Sequence, residues 1–347
     1  MSSSISNSSE RLPAADWART WLLAGMIIVL SLGTWEIFWR MTGFKPGLHD
    51  SAGLWAIERK KVKGFDPEQI VFLGASRIQL AMDLGAFAEV FDGRKPVQLA
   101  IAGSSFIPVL ENLADDKSFN GIVICEGNEY LLLLENNNLP QLSNEYAAFY
   151  KNMRFMDVIG QYFNMSLQKA LVLFLPELDP LNIARRVGKL EWPVQYKTTA
   201  GDRSITVDYS LVDIQEYRKN RIKSQLKCYS SVRDINKIFI LNIQRIENAT
   251  KKIQERGGRV IIVRFPTSGP LLKIDKRRMP REKYWDYWAE NASAMMIHFE
   301  DYPSLAGFPC PDYSHLDYHD SPAFTRALAA IIKEKIASED RKPGPNR

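Results

Sequence analysis

One stretch near the N-terminus constrains this chain more than any other, because it has the length and composition of a membrane span. Residues 20–39 read TWLLAGMIIVLSLGTWEIFW and are bounded by Arg19 and Arg40. At about 1.5 Å per residue, a helix of this length spans roughly 30 Å, the thickness of a bilayer core. Tryptophans stand at both ends, where an indole suits the headgroup boundary. No small-residue cleavage site follows, so a single membrane anchor is favoured over a cleaved signal peptide or a buried core helix.

The charges that flank this segment do not determine on which side of the membrane the rest of the chain lies. Arg11 and Arg19 precede the segment, and Arg40 and Lys45 follow it closely. The positive-inside count is therefore a tie. The sequence predicts a single-pass membrane protein whose orientation is left open by its charges.

Composition excludes several function classes. Of the 347 residues, 46% are hydrophobic and 24% charged, which is typical of a chain that buries a large core. Lys and Arg exceed Asp and Glu by only 45 to 40, which gives no support for a nucleic-acid partner. The three cysteines include no C-x-x-C pair, and neither G-x-x-x-x-G-K nor H-E-x-x-H occurs. We therefore expect no metal and no cofactor.

Apolar runs alternate with helical stretches through the rest of the chain, which is typical of an α/β fold. Continuous apolar runs predict five strands, at residues 70–74, 96–103, 121–128, 257–266 and 295–301. A closing amphipathic helix is predicted at 321–337, with Pro322 at its first turn. Strands that alternate with helices indicate a mainly parallel sheet covered on both faces, a three-layer α/β/α arrangement.

The chain divides into segments of different character. The predicted boundaries are a flexible tail (1–19), the membrane anchor (20–39), a juxtamembrane region (40–66), an α/β domain (67–340) and a disordered tail (341–347). A long insertion interrupts the domain at about residues 130–256 and is mostly helical in pattern. Its middle carries a Gly-Asp turn between alternating runs, which predicts a β-hairpin.

Two motifs at opposite ends of the domain carry the groups of a nucleophilic hydrolase. The first predicted strand ends in Gly-Ala-Ser-Arg, which places Ser76 at the carboxyl edge of the sheet, where catalytic groups gather. Asp312 and His315 stand three residues apart just before the last helix. A serine hydroxyl needs a base to take its proton, and an imidazole base needs a carboxylate to hold its tautomer. Each motif alone could be a turn or a polar loop, but their joint placement favours a catalytic site.

With these motifs, the sequence resembles the SGNH (GDSL-like) hydrolase family over roughly residues 68–128 and 257–337. The resemblance implies a flavodoxin-like α/β/α domain with Ser76 as nucleophile, His315 as base and Asp312 as the group that orients the base. It also implies three oxyanion donors, which are Ser76, Gly103 and the side chain of Asn128.

The chain departs from the family pattern at three positions. Ala75 replaces the aspartate of G-D-S. Glu126 and Glu129 stand in the glycine and aspartate positions of the family's G-x-N-D motif. A carboxylate beside an oxyanion hole opposes the negative charge that develops there. On the sequence alone, we therefore expect replacement of Glu126 by glycine to raise turnover.

The anchored arrangement with its long insertion is similar to SGNH-like proteins of bacterial cell-surface polysaccharide O-acetylation. This resemblance implies a serine esterase or O-acyltransferase that acts on acyl, in particular acetyl, esters of a cell-surface glycan. It places the anchor in the inner (cytoplasmic) membrane and the domain in the periplasm, with a membrane-embedded acyltransferase as a candidate partner. The alternative is a catalytically degenerate SGNH-fold subunit that binds a membrane partner without turnover.

Three further candidates for functional residues could instead have a purely structural role. Arg264 ends the fourth predicted strand and could bind a substrate carboxylate, but a structural ion pair is the simpler interpretation. Asp317 and His319 form a second pair, which we expect to be a solvated loop. His298 lies in an apolar strand and is expected to be a core histidine.

Overall fold

A computed structural model describes residues 16–135, 142–188 and 191–341 of the chain. The predicted tails, 1–19 and 341–347, lie outside the described residues except for residues 16–19 and 341.

The described residues form an α/β fold around one parallel sheet. Its five strands run in the order β2-β1-β3-β6-β7, and β4 and β5 form a separate antiparallel pair. The strands are β1 (Ile70–Leu73), β2 (Val97–Gln98), β3 (Ile122–Glu126), β4 (Lys197–Thr199), β5 (Ile205–Val207), β6 (Arg259–Arg264) and β7 (Met295–His298).

Fifteen α-helices occur in the described part of the chain. They are α1 (Trp17–Met41), α2 (Ala52–Arg59), α3 (Ser76–Ala81), α4 (Leu84–Val90), α5 (Ile107–Asp115), α6 (Glu129–Leu134), α7 (Leu142–Asn152), α8 (Phe155–Ala170), α9 (Pro180–Val187), α10 (Ile214–Ser231), α11 (Ile235–Gln254), α12 (Gly269–Arg278), α13 (Tyr287–Asn291), α14 (Pro303–Ala306) and α15 (Ser321–Asp340). Short helical turns lie at Val172–Phe174, Pro176–Leu178, Tyr209–Leu211, Glu282–Asp286 and Phe299–Asp301.

The strand residues alternate between two apolar clusters, one on each face of the sheet. In β1, Val71 and Leu73 belong to a cluster shared with α5 and α11, whereas Ile70 and Phe72 belong to one shared with α4 and α15. Since both faces are buried, no polar residue is needed on either face. This is why the strands read as continuous apolar runs in the sequence.

The five predicted strands of the sheet are all present, each shorter than predicted, and the second is shortened most. Beyond Gln98 the backbone still donates to β1, from Leu99 to the Phe72 carbonyl at 2.9 Å. On its outer side, the carbonyls of Gln98 and Ala100 accept from the buried Arg203 at 2.9 and 2.8 Å. A side chain from the insertion therefore occupies the sheet edge where another strand would pair.

The insertion contains the predicted hairpin, formed by β4 and β5. Arg203 lies in its turn and is fully buried. Besides the carbonyls of Gln98 and Ala100, its guanidinium binds the Asp50 carboxylate at 2.7 and 3.0 Å. The hairpin is thereby fixed to the edge of the sheet.

Within the described residues, one helix, α1, is long and apolar enough to cross a membrane, and its most apolar window is not buried by the rest of the protein. Only its C-terminal end packs against the domain. There Trp39, together with Phe44 just after the helix, packs with Val172, Leu175 and Leu178. An apolar helix exposed along most of its length is consistent with a single-pass anchor.

Candidate active site

The nucleophile candidate lies on a tight turn between β1 and α3. Gly74 has φ +153°, and a Cβ added there would lie 2.5 Å from the Cβ of Glu126 and 2.5 Å from a methyl group of Ile78. Only glycine fits this position. The chain therefore passes directly from β1 into α3, whose first residue is Ser76 at the carboxyl edge of the sheet.

Ser76, His315 and Asp312 form one chain of hydrogen bonds. The Nε2 atom of His315 lies 2.7 Å from the Ser76 hydroxyl oxygen, and its Nδ1 lies 2.8 Å from Oδ2 of Asp312. The other Asp312 oxygen accepts from the backbone N–H groups of Ser314 and His315 at 2.9 and 2.8 Å. With the Nδ1 proton on the carboxylate side, Nε2 is left to accept the serine proton.

The surroundings keep this base neutral. Burial is the main cause that lowers the pKa of His315, and the charges of Arg221 and Arg77 also lower it, while Asp312 raises it. The net pKa is about 4. Burial raises the pKa of Asp312, but His315, Arg221 and the Ser314 N–H outweigh burial and hold it well below its usual range. At neutral pH the pair is therefore a neutral imidazole beside a carboxylate, the state that a general base requires.

The pH dependence of turnover follows from this protonation state. A protonated His315 cannot accept the serine proton, so activity should rise with pH through about 4 and then stay level through neutrality. Replacing Arg221 by glutamine should move this acid limb to higher pH, because the Arg221 charge lowers the pKa of His315. The measurement is kcat/KM for an aryl acetate from pH 3 to 8. An acid limb at about 6.5, the ordinary value for histidine, would contradict this assignment.

Two residues of the insertion complete the surroundings of Asp312. The hydroxyl of Tyr209, just after β5, donates to Oδ2 of Asp312 at 3.2 Å. The Nε of Arg221, on α10, lies 3.0 Å from the same oxygen. Neither residue could be predicted from the sequence, because both lie in the insertion, which the family resemblance does not cover, and no motif links them to Asp312.

Ser76 opens into a cavity of about 500 Å³ between the sheet edge and the insertion. Gly103, with φ +74°, lines the same cavity, so this predicted oxyanion residue shares the cavity with Ser76. The remaining lining residues are Leu80, Ala102, Tyr130, Leu134, Tyr196, Lys197, Val207, Tyr209, Tyr217, Arg221, Ser224, Gln225, Cys228 and Ser314.

Glu126 binds the backbone of the turn that carries Ser76. Its carboxylate is fully buried and accepts from the backbone N–H groups of Ala75 at 2.8 Å and Ile78 at 3.4 Å. Its second oxygen lies 3.4 Å from the guanidinium of Arg77, which is also buried. The carboxylate is thus occupied by the residues on either side of Ser76. This placement reverses the expected effect of replacing it, because removal would leave these buried donors unpaired.

Asn128 does not reach the cavity in the described part of the protein. Its amide nitrogen donates to the Phe265 carbonyl at 3.4 Å, and its oxygen accepts from the Phe265 N–H at 3.2 Å. Both ends of the side chain therefore bind the segment that follows β6. The family resemblance implies an oxyanion role for Asn128, whereas in the structure its amide binds the backbone of Phe265.

Arg264 and Glu129 belong to a buried ionic network. The Arg264 guanidinium lies 2.8 Å from the Glu129 carboxylate and 3.3 Å from that of Asp275. Asp275 also accepts from the Tyr229 hydroxyl at 2.8 Å and from the amide of Gln225. Arg264 is 3% exposed and does not line the cavity of Ser76, so the structure places it in a structural ion pair.

The other candidate histidines lie apart from this site. His298 stacks on Phe299 and is buried; burial is the main cause that lowers its pKa to about 2, so it is a neutral core residue. His319 is exposed and binds the carboxylate of Asp317 at 2.6 Å. No group of three or more His, Cys, Asp or Glu residues that could hold a metal occurs among the residues described.

Proteins similar to this chain are found among solved structures. No family model matches the chain, and no curated protein matches it. Among solved structures, the crystal structure of TesA is similar to the chain at 10% sequence identity, with a TM-score of 0.35. The match covers 77% of this chain and 99% of the TesA chain. With a similarity of this size, the chemistry of the site has to be inferred from its own residues.

Proposed function

We propose that this protein is a membrane-anchored serine esterase or O-acyltransferase that acts on acyl, in particular acetyl, esters of a cell-surface glycan. The observation that carries the proposal is the 2.7 Å contact between the Ser76 hydroxyl and Nε2 of His315, whose other nitrogen lies 2.8 Å from Asp312. A serine, a neutral imidazole and a carboxylate in this order can activate the hydroxyl for attack on a carbonyl.

In the proposed reaction, the Ser76 oxygen attacks the acyl carbonyl while His315 takes the serine proton. His315 then gives this proton to the leaving alcohol oxygen, and the acyl group stays on Ser76 as an ester. Water, or a sugar hydroxyl, attacks this ester in the second half, with His315 again as base. The backbone N–H groups of Ser76 and Gly103 are the proposed donors to the oxyanion, since both residues line the cavity.

Features of the cavity and of α1 support the substrate and the location. The cavity joins aromatic and hydrogen-bonding side chains, a mixture that suits a hydroxyl-rich ester. Its aromatic members are Tyr130, Tyr196, Tyr209 and Tyr217. The helix α1 is long and apolar enough to serve as the proposed membrane anchor. The inner membrane, the periplasmic side and a membrane-embedded acyltransferase partner belong to the same proposal, because the family resemblance implies them.

Labelling by a fluorophosphonate probe tests the proposal directly. Such a probe forms a covalent bond with an activated serine, so we expect labelling of the native chain. Replacing Ser76 by alanine should abolish it, and replacing Ser314 by alanine, another serine that lines the cavity, should not. The measurement is in-gel fluorescence of the purified protein. A native chain that takes no label, and releases no acetate from acetylated xylan, would favour the degenerate subunit instead.

A further inference from the structure

Exposed apolar side chains are concentrated in one part of the insertion. Outside α1, sixteen large hydrophobic residues of the described chain are exposed, and eleven of them fall within residues 142–192. A soluble surface rarely gathers apolar residues in this way, and such a patch marks an interaction site.

The helix α8 forms the centre of this patch. One side of α8 faces the domain, where Met165 packs against Leu48 and Leu54 and the Gln168 side chain accepts from the His49 N–H at 2.8 Å. Another side is apolar and exposed, with Phe155 76% and Phe163 66% accessible. The residues of this apolar face recur at helical spacing and are Phe155, Met156, Ile159, Tyr162 and Phe163.

The C-terminal end of α8 is fixed to the end of α1. The Ala170 carbonyl, the last of α8, accepts from the Arg40 guanidinium at 2.5 Å. The Glu36 carboxylate accepts from the N–H groups of Val172 and Leu173, each at 3.0 Å. The 25 residues of α1 span roughly 37 Å at about 1.5 Å each, slightly more than the roughly 30 Å of a bilayer core. When α1 crosses the bilayer, its last turns, and with them the end of α8, lie at the membrane boundary.

The helix α9, which comes next in the chain, also exposes apolar side chains and in addition carries positive charge. In α9, Leu181 and Val187 are exposed, and Arg185 and Arg186 occupy its last turn. Aromatic and aliphatic side chains beside arginines are typical of helices that lie in the headgroup region of a membrane. A lipid surface fits this combination, and the anchor α1 brings that surface to it.

We propose that the apolar face of α8 inserts into the headgroup–acyl boundary of the membrane that α1 crosses. The α/β domain would then contact the membrane through α8 as well as through its anchor α1. This inference rests on α1 as a membrane anchor and does not depend on catalysis by Ser76.

Depth-dependent fluorescence quenching tests this contact in the full chain. The chain is reconstituted in protein-free vesicles of phosphatidylcholine and phosphatidylglycerol at less than one chain per vesicle. A bimane label is attached at Phe163→Cys, and the matched control carries it at Leu241→Cys, an exposed apolar position on α11. Signals are corrected for label on the unsubstituted chain. A shallow doxyl lipid should quench the label at 163 at least about twofold more than the label at 241, as expected for an interfacial helix.

Each alternative outcome decides against the proposal. Equal quenching at the two positions would show that the apolar face of α8 does not contact lipid. Quenching at 163 that appears only with several chains per vesicle would identify a second copy as the occupant. Both labelled chains should also resist extraction by alkaline carbonate, because α1 spans the bilayer. Extraction would overturn the anchor and this inference together, while fluorophosphonate labelling would still report on the catalytic proposal.

Discussion

Alanine at Ser76 or at His315 is expected to reduce acetyl-ester turnover to background, and the double replacement should be no worse than either alone. The two side chains share one hydrogen bond of 2.7 Å, and each is useless for nucleophilic attack without the other. For residues that act as such a unit, the loss in kcat is on the order of 10⁴-fold or more. The measurement is steady-state release of acetate from an aryl acetate and from an acetylated polysaccharide such as xylan.

The same loop provides a matched control. His319 also binds an aspartate through Nδ1, with Asp317 at 2.6 Å, but it is exposed and does not line the cavity of Ser76. Replacing His319 by alanine should therefore leave turnover unchanged. An equal loss from both histidines would point to damage to the loop, and turnover that survives without Ser76 would contradict the proposed nucleophile.

The positions of the strands, and the proximity of Ser76 to Asp312 and His315, could be predicted from local sequence patterns. A strand buried on both faces is a continuous apolar run, so β3 could be predicted from residues 121–128 and occurs at Ile122–Glu126. The three-residue spacing of Asp312 and His315 lets one loop hold both groups. Since groups at the carboxyl edge of a parallel sheet converge, a serine directly after β1 could be expected near them.

The position of Glu126 could not be predicted in this way, because it depends on strand register. Leu73 in β1 is paired with Cys125 in β3, which places Glu126 beside Gly74 and the turn of Ser76. A shift of one residue would point this carboxylate to the opposite face. Sequence order reveals which residues follow a strand, but not which backbone N–H groups they meet.

The contribution of the insertion also depends on contacts between distant parts of the chain. Arg221 and Tyr209 lie 91 and 103 residues before Asp312 in the sequence. Tyr209 comes just after the hairpin, which Arg203 fixes to Asp50 and to the carbonyls of Gln98 and Ala100. Arg221 comes from α10, the next helix of the insertion. No periodic pattern encodes such a contact, so the hairpin was predictable and its role at the site was not.

Replacing Glu126 by glutamine is expected to lower kcat by about tenfold or more and to leave KM little changed. Each tenfold loss of kcat corresponds to about 1.4 kcal/mol of activation barrier. The charge of Glu126 balances Arg77, and its oxygen holds the Ala75 N–H at 2.8 Å, directly before the nucleophile. A glutamine keeps the shape but cannot balance a buried guanidinium, and breaking such a pair costs about 3–5 kcal/mol of stability. The turn should therefore loosen and misplace the Ser76 hydroxyl.

Glu129→Gln separates this effect on positioning from a general loss of stability. Glu129 is also a buried carboxylate paired with a buried arginine, Arg264 at 2.8 Å, but it does not contact the turn of Ser76. Thermal unfolding should show a loss of stability in both variants, whereas kcat should fall only in Glu126→Gln. Equal losses of kcat in the two would leave Glu126 a purely structural residue. A rise in turnover in Glu126→Gly would mean that the carboxylate opposes the oxyanion after all, because a residue that holds the nucleophile in place cannot be removed with a gain in rate.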